Sequence, residues 1–422
     1  MPEFSDDEIE TLQAAAALIL DAESRLPVLK TLAWDRALAD RFFASGETEP
    51  PAPEYPKIDI GPALEAIVSA RALISGSSPV HDWLRRTADV VEETAALLSC
   101  VGTSAFHGHS VALYGAPDAP LADGRTTALA LADKLDELLS DFDIGGAKLE
   151  PPARMTARDL KIELDARLPD LFGDQAPRVE VTQNVSAKAA AGSDYIKLRE
   201  DAGFSDLDAD QLLQHEAYIH IATGYNGRAQ NRFPILAESH PGNARTQEGL
   251  AVFAEFISGS LDPRRFKRLA DRVIAIQLAA EGADFLDLYH FFRERNAADA
   301  PFEAFESARR VVRGGLVNGG APFTKDSVYL GGLLEVHSYL RAAVQAGDAE
   351  FIRLLFVGKI DLEDLRAMKA LRDAGLIAEP RYLPPWAKDL RFLLAYLAYS
   401  TFLNQIDLRG VTARYQALFA EA

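Results

Sequence analysis

Two histidines and a glutamate stand close together at residues 214–220, in the order Gln-His-Glu-Ala-Tyr-Ile-His. Histidine nitrogens and carboxylates are zinc ligands, and a glutamate directly after the first histidine is where a zinc hydrolase keeps the base that activates water. A further carboxylate, Glu248, starts an apolar stretch downstream, where a buried acid needs a partner such as a metal. These residues predict a zinc site formed by His215, His220 and Glu248, with Glu216 as the general base.

The spacing of the two histidines requires an unusual helix. The familiar zinc-peptidase pattern, His-Glu-x-x-His, places both imidazoles on one face, but here the second histidine comes one residue later. On a regular α-helix such a pair lies about 140° apart, which is too far for both rings to share one ion. A π-bulge would return His220 to the face of His215. The alternative from these residues alone is a surface helix with two unrelated histidines.

Glu248 is predicted in the first turn of a helix over 246–257, where the helix dipole favours an acid. The alternative interpretation is an ordinary acid at a helix N-terminus. Glu255 lies two turns later on the same face, so it is a candidate for orienting a ligand. His107 and His109 are a second possible metal pair, but no carboxylate follows them at a suitable spacing, so we interpret them as loop residues. His240 is also interpreted as a loop residue.

Several stretches together resemble a known family. The lengthened histidine motif and residues 247–251 (Gln-Glu-Gly-Leu-Ala) resemble the bacterial QEGLA-motif proteins, often labelled flavohemoglobin expression-modulating. Those proteins are similar to the eukaryotic microtubule-associated tyrosine carboxypeptidases. Further matching stretches are 225–227, 313–315, 323–326 and 329–330. The resemblance implies a zincin-like zinc metallopeptidase core, with the ligands and the base assigned above.

A carboxypeptidase needs groups beyond the metal ligands. A positioned donor must stabilise the oxygen that gains charge, and Tyr329 and Arg313 are the candidates because both lie in stretches that carry the resemblance. A cation must bind the terminal carboxylate of the substrate, for which Arg313, Arg310 or Lys325 could serve. Asn226, in another matching stretch, is a further candidate for substrate binding.

The predicted substrate is therefore a peptide or protein C-terminus. Two other functions stay open: a non-catalytic zinc protein with a regulatory role, and a metal hydrolase that acts on something other than peptides. The sequence argues against a purely structural zinc, because such a site needs no Glu216 and is usually closed by four protein ligands. The sequence does not determine whether a peptide would be cut at its end or within its chain, and it does not determine the oligomeric state.

Helices and a small sheet must position these residues. Apolar periodicity predicts an N-terminal helical cover over residues 1–150, with helices at 6–22, 28–44, 62–74, 82–98 and 126–139. Residues 151–422 are predicted to form the catalytic domain, with a small antiparallel sheet before the metal site. Its predicted strands are 178–182, 186–189 and 194–199. Residues 195–198 are predicted at the edge, where they could pair with an extended substrate; the alternative is a hairpin that only covers the core. Asp206 or Asp208 is the predicted helix cap. The fold class is α+β and mostly helical.

Composition limits the partners. The 422 residues are 48% hydrophobic and 25% charged, which is typical of a globular protein. A formal charge of −19 disfavours nucleic acids and anionic membranes, and it is also awkward for an acidic peptide as substrate. The single cysteine, Cys100, cannot form an internal disulfide. The acidic N-terminus has no secretory signal and the apolar stretch 392–403 is too short to span a bilayer, so we expect a cytoplasmic protein without a membrane segment.

Overall fold

The structure, a computed structural model, describes residues 4–141, 154–183, 185, 188–295, 300–407, 409 and 410. Helices predominate and the strands are few and short, which confirms the α+β, mostly helical class. The N-terminal helices are α1 Asp6–Ser24, α2 Val28–Thr31, α3 Arg36–Ala44, α4 Gly61–Leu73, α5 Pro79–Ser99, α6 Ala105–Tyr114 and α7 Ala128–Asp141. The predicted helix 28–44 is thus two helices, since α3 has its own N-cap at Asp35, whose side chain accepts a hydrogen bond from Ala37 N.

The middle of the chain contains the strands and a long helix that carries His215 and His220. Its elements are β1 Met155–Thr156, α8 Ala157–Arg167, α9 Pro169–Phe172, β2 Arg178–Thr182, β3 Ala189–Ala191, β4 Tyr195–Arg199, β5 Gly203–Phe204, α10 Asp206–Leu212, a π-helix Leu213–Ile221 and α11 Ala222–Arg228. The last three run on without a break, and we call residues 206–228 the metal-site helix, after the candidate metal site that is described below.

The rest of the described chain is helical. Its elements are α12 Pro241–Ile257, α13 Pro263–Ala280, α14 Phe285–Arg295, α15 Pro301–Val312, α16 Val328–Ala346, α17 Ala349–Leu354, α18 Leu365–Asp373, α19 Pro385–Lys388 and α20 Leu390–Leu403. Short 3-10 turns occur at Pro234–Ala237, Thr324–Ser327 and Leu362–Asp364. None of the described helices combines the length and the apolar character needed to cross a membrane.

The sheet differs in detail from the prediction. Its order is β2-β4-β3, with β2 and β4 parallel and β3 and β4 antiparallel, while β1 and β5 form a separate antiparallel pair. The prediction that 195–198 forms an edge was therefore wrong, because β4 has a neighbour on both sides. The predicted strand at 186–189 lies partly outside the described residues. Its described end, Ala189, begins β3, and this strand supplies the edge that borders the cleft described below.

The N-terminal helices share one hydrophobic core with the C-terminal part of the chain. Leu12 of α1 and Leu84 of α5 are buried in the same cluster as Leu250 and Phe253 of α12. This arrangement suits a helical cover, whereas the division into domains at residue 150 stays a prediction. At the centre, α12 crosses α16 so closely that only glycines fit, since a Cβ on Gly249 would lie 2.2 Å from the backbone of Gly332. This crossing holds the chain around Glu248.

Candidate metal centre

The metal-site helix starts at a reciprocal cap. Ser205 Oγ accepts a hydrogen bond of 3.1 Å from Asp208 N, and Ser205 N donates one of 2.9 Å to Asp208 Oδ2. Ser205 is therefore the N-cap, and Asp208 is its partner in a capping box rather than the cap itself. The prediction of Asp206 or Asp208 as the cap was wrong by a few residues. The cap fixes where the helix begins and so helps to set the direction of the histidines that follow.

The two histidines lie in a π-helix, Leu213–Ile221. The predicted departure from α geometry between them is confirmed. In a π-helix the backbone hydrogen bonds join residues five apart, so residues at that spacing return to one face. The ring centroids of His215 and His220 are 4.9 Å apart. The lengthened motif thus brings both imidazoles to the same place.

Glu248 supplies a third donor from α12. Its Oε2 lies 3.5 Å from Nε2 of His215 and 3.5 Å from Nε2 of His220. The ligand atoms of the three residues all lie within 4.8 Å of one another, an arrangement that could hold a metal ion. The helix begins at Pro241, earlier than predicted, so Glu248 stands about two turns inside it and not in its first turn. The helix dipole therefore does not explain this acid, but its partners do.

A second set of side chains orients the first histidine. Nδ1 of His215 lies 2.6 Å from Oε1 of Glu255, which is fully buried and also accepts hydrogen bonds from Arg265 at 3.2 and 3.3 Å. A carboxylate on one ring nitrogen fixes the tautomer and leaves the other nitrogen free to bind a metal. The orienting role expected for Glu255 agrees with this geometry.

The electrostatics of the cluster also suit a bound cation. Burial alone would raise the pKa of Glu255, but Arg265 and His215 lower it to about 2. Burial would lower the pKa of His215, yet its contacts with Glu248 and Glu255 raise that pKa well above the usual value. The donor set, two imidazole nitrogens and a carboxylate, fits zinc.

Two residues predicted to bind substrate form salt bridges with acidic side chains instead. Lys325 Nζ donates to Glu248 Oε1 at 3.0 Å, so this lysine supports a member of the donor cluster. Arg310 binds both oxygens of Asp326, at 2.7 Å each. Both cations lie near the site, as the sequence predicted, but their charges already have partners. Sequence alone could not show which acid each cation faces.

Two further predicted residues lie away from the cleft. The side chain of Asn226 is buried and binds only backbone: it donates to Phe356 O and Tyr382 O, and accepts from Arg381 N and Tyr382 N. Arg313 is 8% exposed and lies over the ring of Phe323, 5.4 Å from its centroid. Neither side chain lines the cleft. The roles predicted for them in substrate binding and catalysis therefore do not agree with their positions.

A cleft of about 290 Å³ opens beside the donor cluster. Its lining includes Glu216 and Tyr329, two of the predicted catalytic residues, together with His215. Glu216 is not a member of the group of mutually close donors. It is thus placed to act on a molecule in the cleft without being one of the three donors.

One wall of the cleft is a row of arginines that sequence analysis missed. Arg265, Arg268 and Arg272 recur at three- and four-residue steps on α13 and all reach the lining. Cationic side chains outnumber carboxylates there, although the whole chain carries −19. The expectation that the chain's charge is unsuited to an acidic peptide therefore does not hold at this cleft. The periodicity of 263–280 was the signal that could have revealed it.

Two of these arginines keep donors for a ligand. Within the described part of the chain, Arg268 has no acidic side chain at salt-bridge distance, and Arg272 has one distant contact, Nε to Asp326 Oδ2 at 3.7 Å. That carboxylate is already bound by Arg310. Burial, together with the nearby charge of Arg310, lowers the pKa of Arg272 to about 10. An anion in the cleft would relieve this repulsion.

The other histidines do not join the cluster. His107 and His109 lie in α6 and not in a loop as predicted; their Nδ1 atoms contact Pro322 O at 3.1 Å and Glu93 Oε1 at 2.7 Å. His240 is the N-cap residue of α12. Among the described residues, only His215, His220 and Glu248 form a group that could hold a metal.

Of the comparisons with known proteins, one found a family. No curated protein matches the chain. Residues 40–405 match the family model described as microtubule-associated tyrosine carboxypeptidase. The donor cluster and the residues that line the cleft all lie within this range. The match confirms the resemblance at the level of this family, while membership of the bacterial QEGLA group stays a prediction. Since the match extends over most of its length, the chain belongs to the microtubule-associated tyrosine carboxypeptidase family.

Proposed function

We propose that this protein is a zinc-dependent carboxypeptidase that removes a residue from the C-terminus of a peptide or protein. The observation that carries the proposal is the cluster of His215, His220 and Glu248 beside a cleft that also contains Glu216. A structural zinc is usually closed by four protein ligands, whereas three leave a position for water and substrate. The family to which the chain belongs supports the same class of reaction.

The residues of the cleft divide the chemistry among them. A zinc ion held by the three donors would supply a Lewis acid for the scissile carbonyl. Glu216 takes the proton of the attacking water and returns it to the leaving amine. Tyr329, in the lining of the same cleft, is the candidate donor to the oxygen that gains negative charge. Glu255 keeps His215 oriented throughout.

The terminal carboxylate requires a cation, and we assign this role to Arg272. Arg310 and Lys325, the residues suggested by sequence, are already paired with acids. Among the described residues, the acidic contact of Arg272 is the distant one with Asp326, and its guanidinium lies 6.0 Å from the ring centroid of Tyr329. Guanidinium groups bind carboxylates with two parallel hydrogen bonds. The cleft, at about 290 Å³, is at the small end of the range for ligand pockets, which suits a terminal residue.

Metal analysis tests the ligand assignment. We expect the purified protein to contain one zinc ion per chain by mass spectrometry of metals. The variant His220→Ala should lose it, because two remaining donors hold zinc poorly. Equal zinc in the two proteins would refute the assignment of His220.

Peptide cleavage tests the reaction. A carboxypeptidase should cut peptides with a free C-terminus and reject the same peptides when amidated. Glu216→Gln should keep zinc and fold but lose about 10²- to 10⁴-fold in rate, since the amide cannot accept a proton. Glu303→Gln is the control, because it removes the same charge from another position in the cleft lining; it should cut within a few-fold of the wild type.

Two outcomes would contradict the proposal. Glu216→Gln that cuts as fast as the wild type would exclude Glu216 as the base. If the wild type binds zinc and cuts no peptide under any condition, the hypothesis that survives is a regulatory metal protein.

A further inference from the structure

The carboxylate of Glu248 is divided between two kinds of partner. Its Oε2 lies 3.5 Å from Nε2 of each histidine, while its Oε1 accepts a hydrogen bond of 3.0 Å from Nζ of Lys325. A glutamate can coordinate a cation through one oxygen or through both. Here the second oxygen is held by the lysine, so only one faces the histidines.

The architecture fixes the position of Lys325. It belongs to the 3-10 turn Thr324–Ser327 and its side chain is 13% exposed. Before it, Thr324 N donates to Ser110 Oγ at 2.8 Å and Thr324 Oγ1 donates to Ser110 O at 2.9 Å. After it, Asp326 is held at both oxygens by Arg310. The residues on both sides of Lys325 are therefore held by α6 and α15, and this fixes the backbone from which its ammonium group reaches Glu248.

The charge of Lys325 acts against metal affinity. A buried ammonium group bound to one oxygen of a metal-binding carboxylate repels a divalent cation at the other oxygen, and the low dielectric of the site strengthens this effect. A site selected only for tight metal binding would not contain such a charge. A hydrolytic site has two uses for it: an uncoordinated position for substrate, and a metal whose positive charge is not fully neutralised by its ligands.

We propose that Lys325 is a positioning residue, which restricts Glu248 to one coordinating oxygen and keeps the site open at the expense of metal affinity. This inference rests on the proposed function as a zinc carboxypeptidase. It concerns the number of oxygens that Glu248 offers and the strength with which the site binds a divalent ion. Both can be measured without a substrate.

The test replaces Lys325 with methionine, which has a similar length and no charge. Wild type and Lys325→Met are titrated with Co²⁺, whose visible absorption weakens as its coordination number rises. We expect the variant to bind Co²⁺ about tenfold more tightly or better, because the repulsion is gone. Its absorption should be weaker, because both oxygens of Glu248 can now coordinate. Lys325→Met should also cleave peptides more slowly. Lys325→Arg keeps the positive charge, so its Co²⁺ absorption should be as strong as that of the wild type.

A second lysine provides the matched control. Among the described residues, Nζ of Lys359 donates to Ser239 Oγ at 2.8 Å and makes no hydrogen bond to Glu248, although its charge acts on Glu248 at longer range. Lys359→Met therefore removes one positive charge without releasing Glu248. It should leave the Co²⁺ spectrum unchanged and tighten Co²⁺ binding much less than Lys325→Met. If Lys325→Met does not fold, Lys325→Gln takes its place: it keeps a donor for Oε1, so it should bind Co²⁺ more tightly while keeping the strong absorption.

Two results would overturn the inference alone: Lys325→Met with an unchanged spectrum, or a folded neutral variant that binds Co²⁺ more weakly than the wild type. The second result would show that Lys325 is needed to build the site. A wild-type protein that binds neither Co²⁺ nor zinc would overturn the proposed function, and the inference with it.

Discussion

Replacing Gly249 with alanine is expected to disturb the metal site without altering any ligand. Gly249 follows Glu248 in α12, where this helix crosses α16 at Gly332. A Cβ on Gly249 would lie 2.2 Å from the carbonyl carbon of Gly332, whereas ordinary contact begins at 3.4 Å. Neither atom can rotate away, because the new Cβ is bonded directly to the backbone of residue 249 and the carbonyl carbon is part of the backbone of Gly332. The helices must therefore separate by about 1.2 Å, the difference between these distances.

The separation acts on both stability and the site. Overpacking a dense core typically costs about 1–3 kcal/mol in the free energy of unfolding. Glu248 is on α12 and Lys325 precedes α16, so the same movement stretches their 3.0 Å hydrogen bond and changes the 3.5 Å distances from Oε2 to the two histidines. A displacement near 1 Å at a catalytic group costs on the order of 100-fold in rate. We expect zinc affinity to fall about 10- to 100-fold.

Chelator competition measures the zinc affinity, and calorimetry measures the melting temperature. Gly331→Ala is the control, because its Cβ would meet only the side-chain atom Cδ2 of Leu121, at 3.2 Å. That side chain can turn away, and alanine there raises helix propensity by about 1 kcal/mol. If Gly249→Ala holds zinc as tightly as the wild type and melts no earlier than Gly331→Ala, the packing argument is refuted.

Three further predictions follow from the site and its surroundings. Glu255→Gln should weaken zinc binding about 10- to 100-fold in chelator competition, because His215 loses its charged partner; unchanged affinity would exclude that role. Arg272→Met should reduce kcat/KM about 100-fold for peptides with a free C-terminus, and Arg268→Met less; equal effects would remove Arg272 as the carboxylate site. Burial lowers the pKa of His240 to about 4. Between pH 6.5 and 4, His240 is therefore protonated in the unfolded chain and neutral in the folded chain, which favours unfolding. Melting temperatures should therefore fall between pH 6.5 and 4, and less steeply for His240→Gln; parallel curves would contradict this.

The parts of the site that follow from helix geometry could be predicted from the sequence. A shared ion between His215 and His220 required a non-α segment, and the structure has a π-helix there. The two-turn spacing of Glu248 and Glu255 placed both acids on the face toward His215. These predictions needed only the number of residues per turn, because each concerns residues on one helix.

The partners of the cations could not be predicted, because they depend on how separate helices meet. Lys325 and Arg310 were assigned to the substrate, yet each faces an acid brought by packing. Asn226 was assigned to the substrate because of the stretch in which it lies, whereas the structure uses it to bind backbone from two distant segments. The position of β4 in the sheet was missed because strand order does not follow from alternation in one strand.

The π-helix accommodates one extra residue without greatly changing the rotational phase of the residues after it. Deleting one residue between the two histidines would restore the common four-residue spacing, so the two imidazoles could meet on a regular α-helix. Because a π-bulge absorbs the inserted residue within its own turn, α11 would keep nearly the same direction after this deletion. Asn226 would then keep its backbone partners near Phe356 and Tyr382, and Gly227 would keep the place where a Cβ would lie 2.1 Å from Leu236 O. A chain with the shorter motif could therefore keep both the donor cluster and this structural anchor.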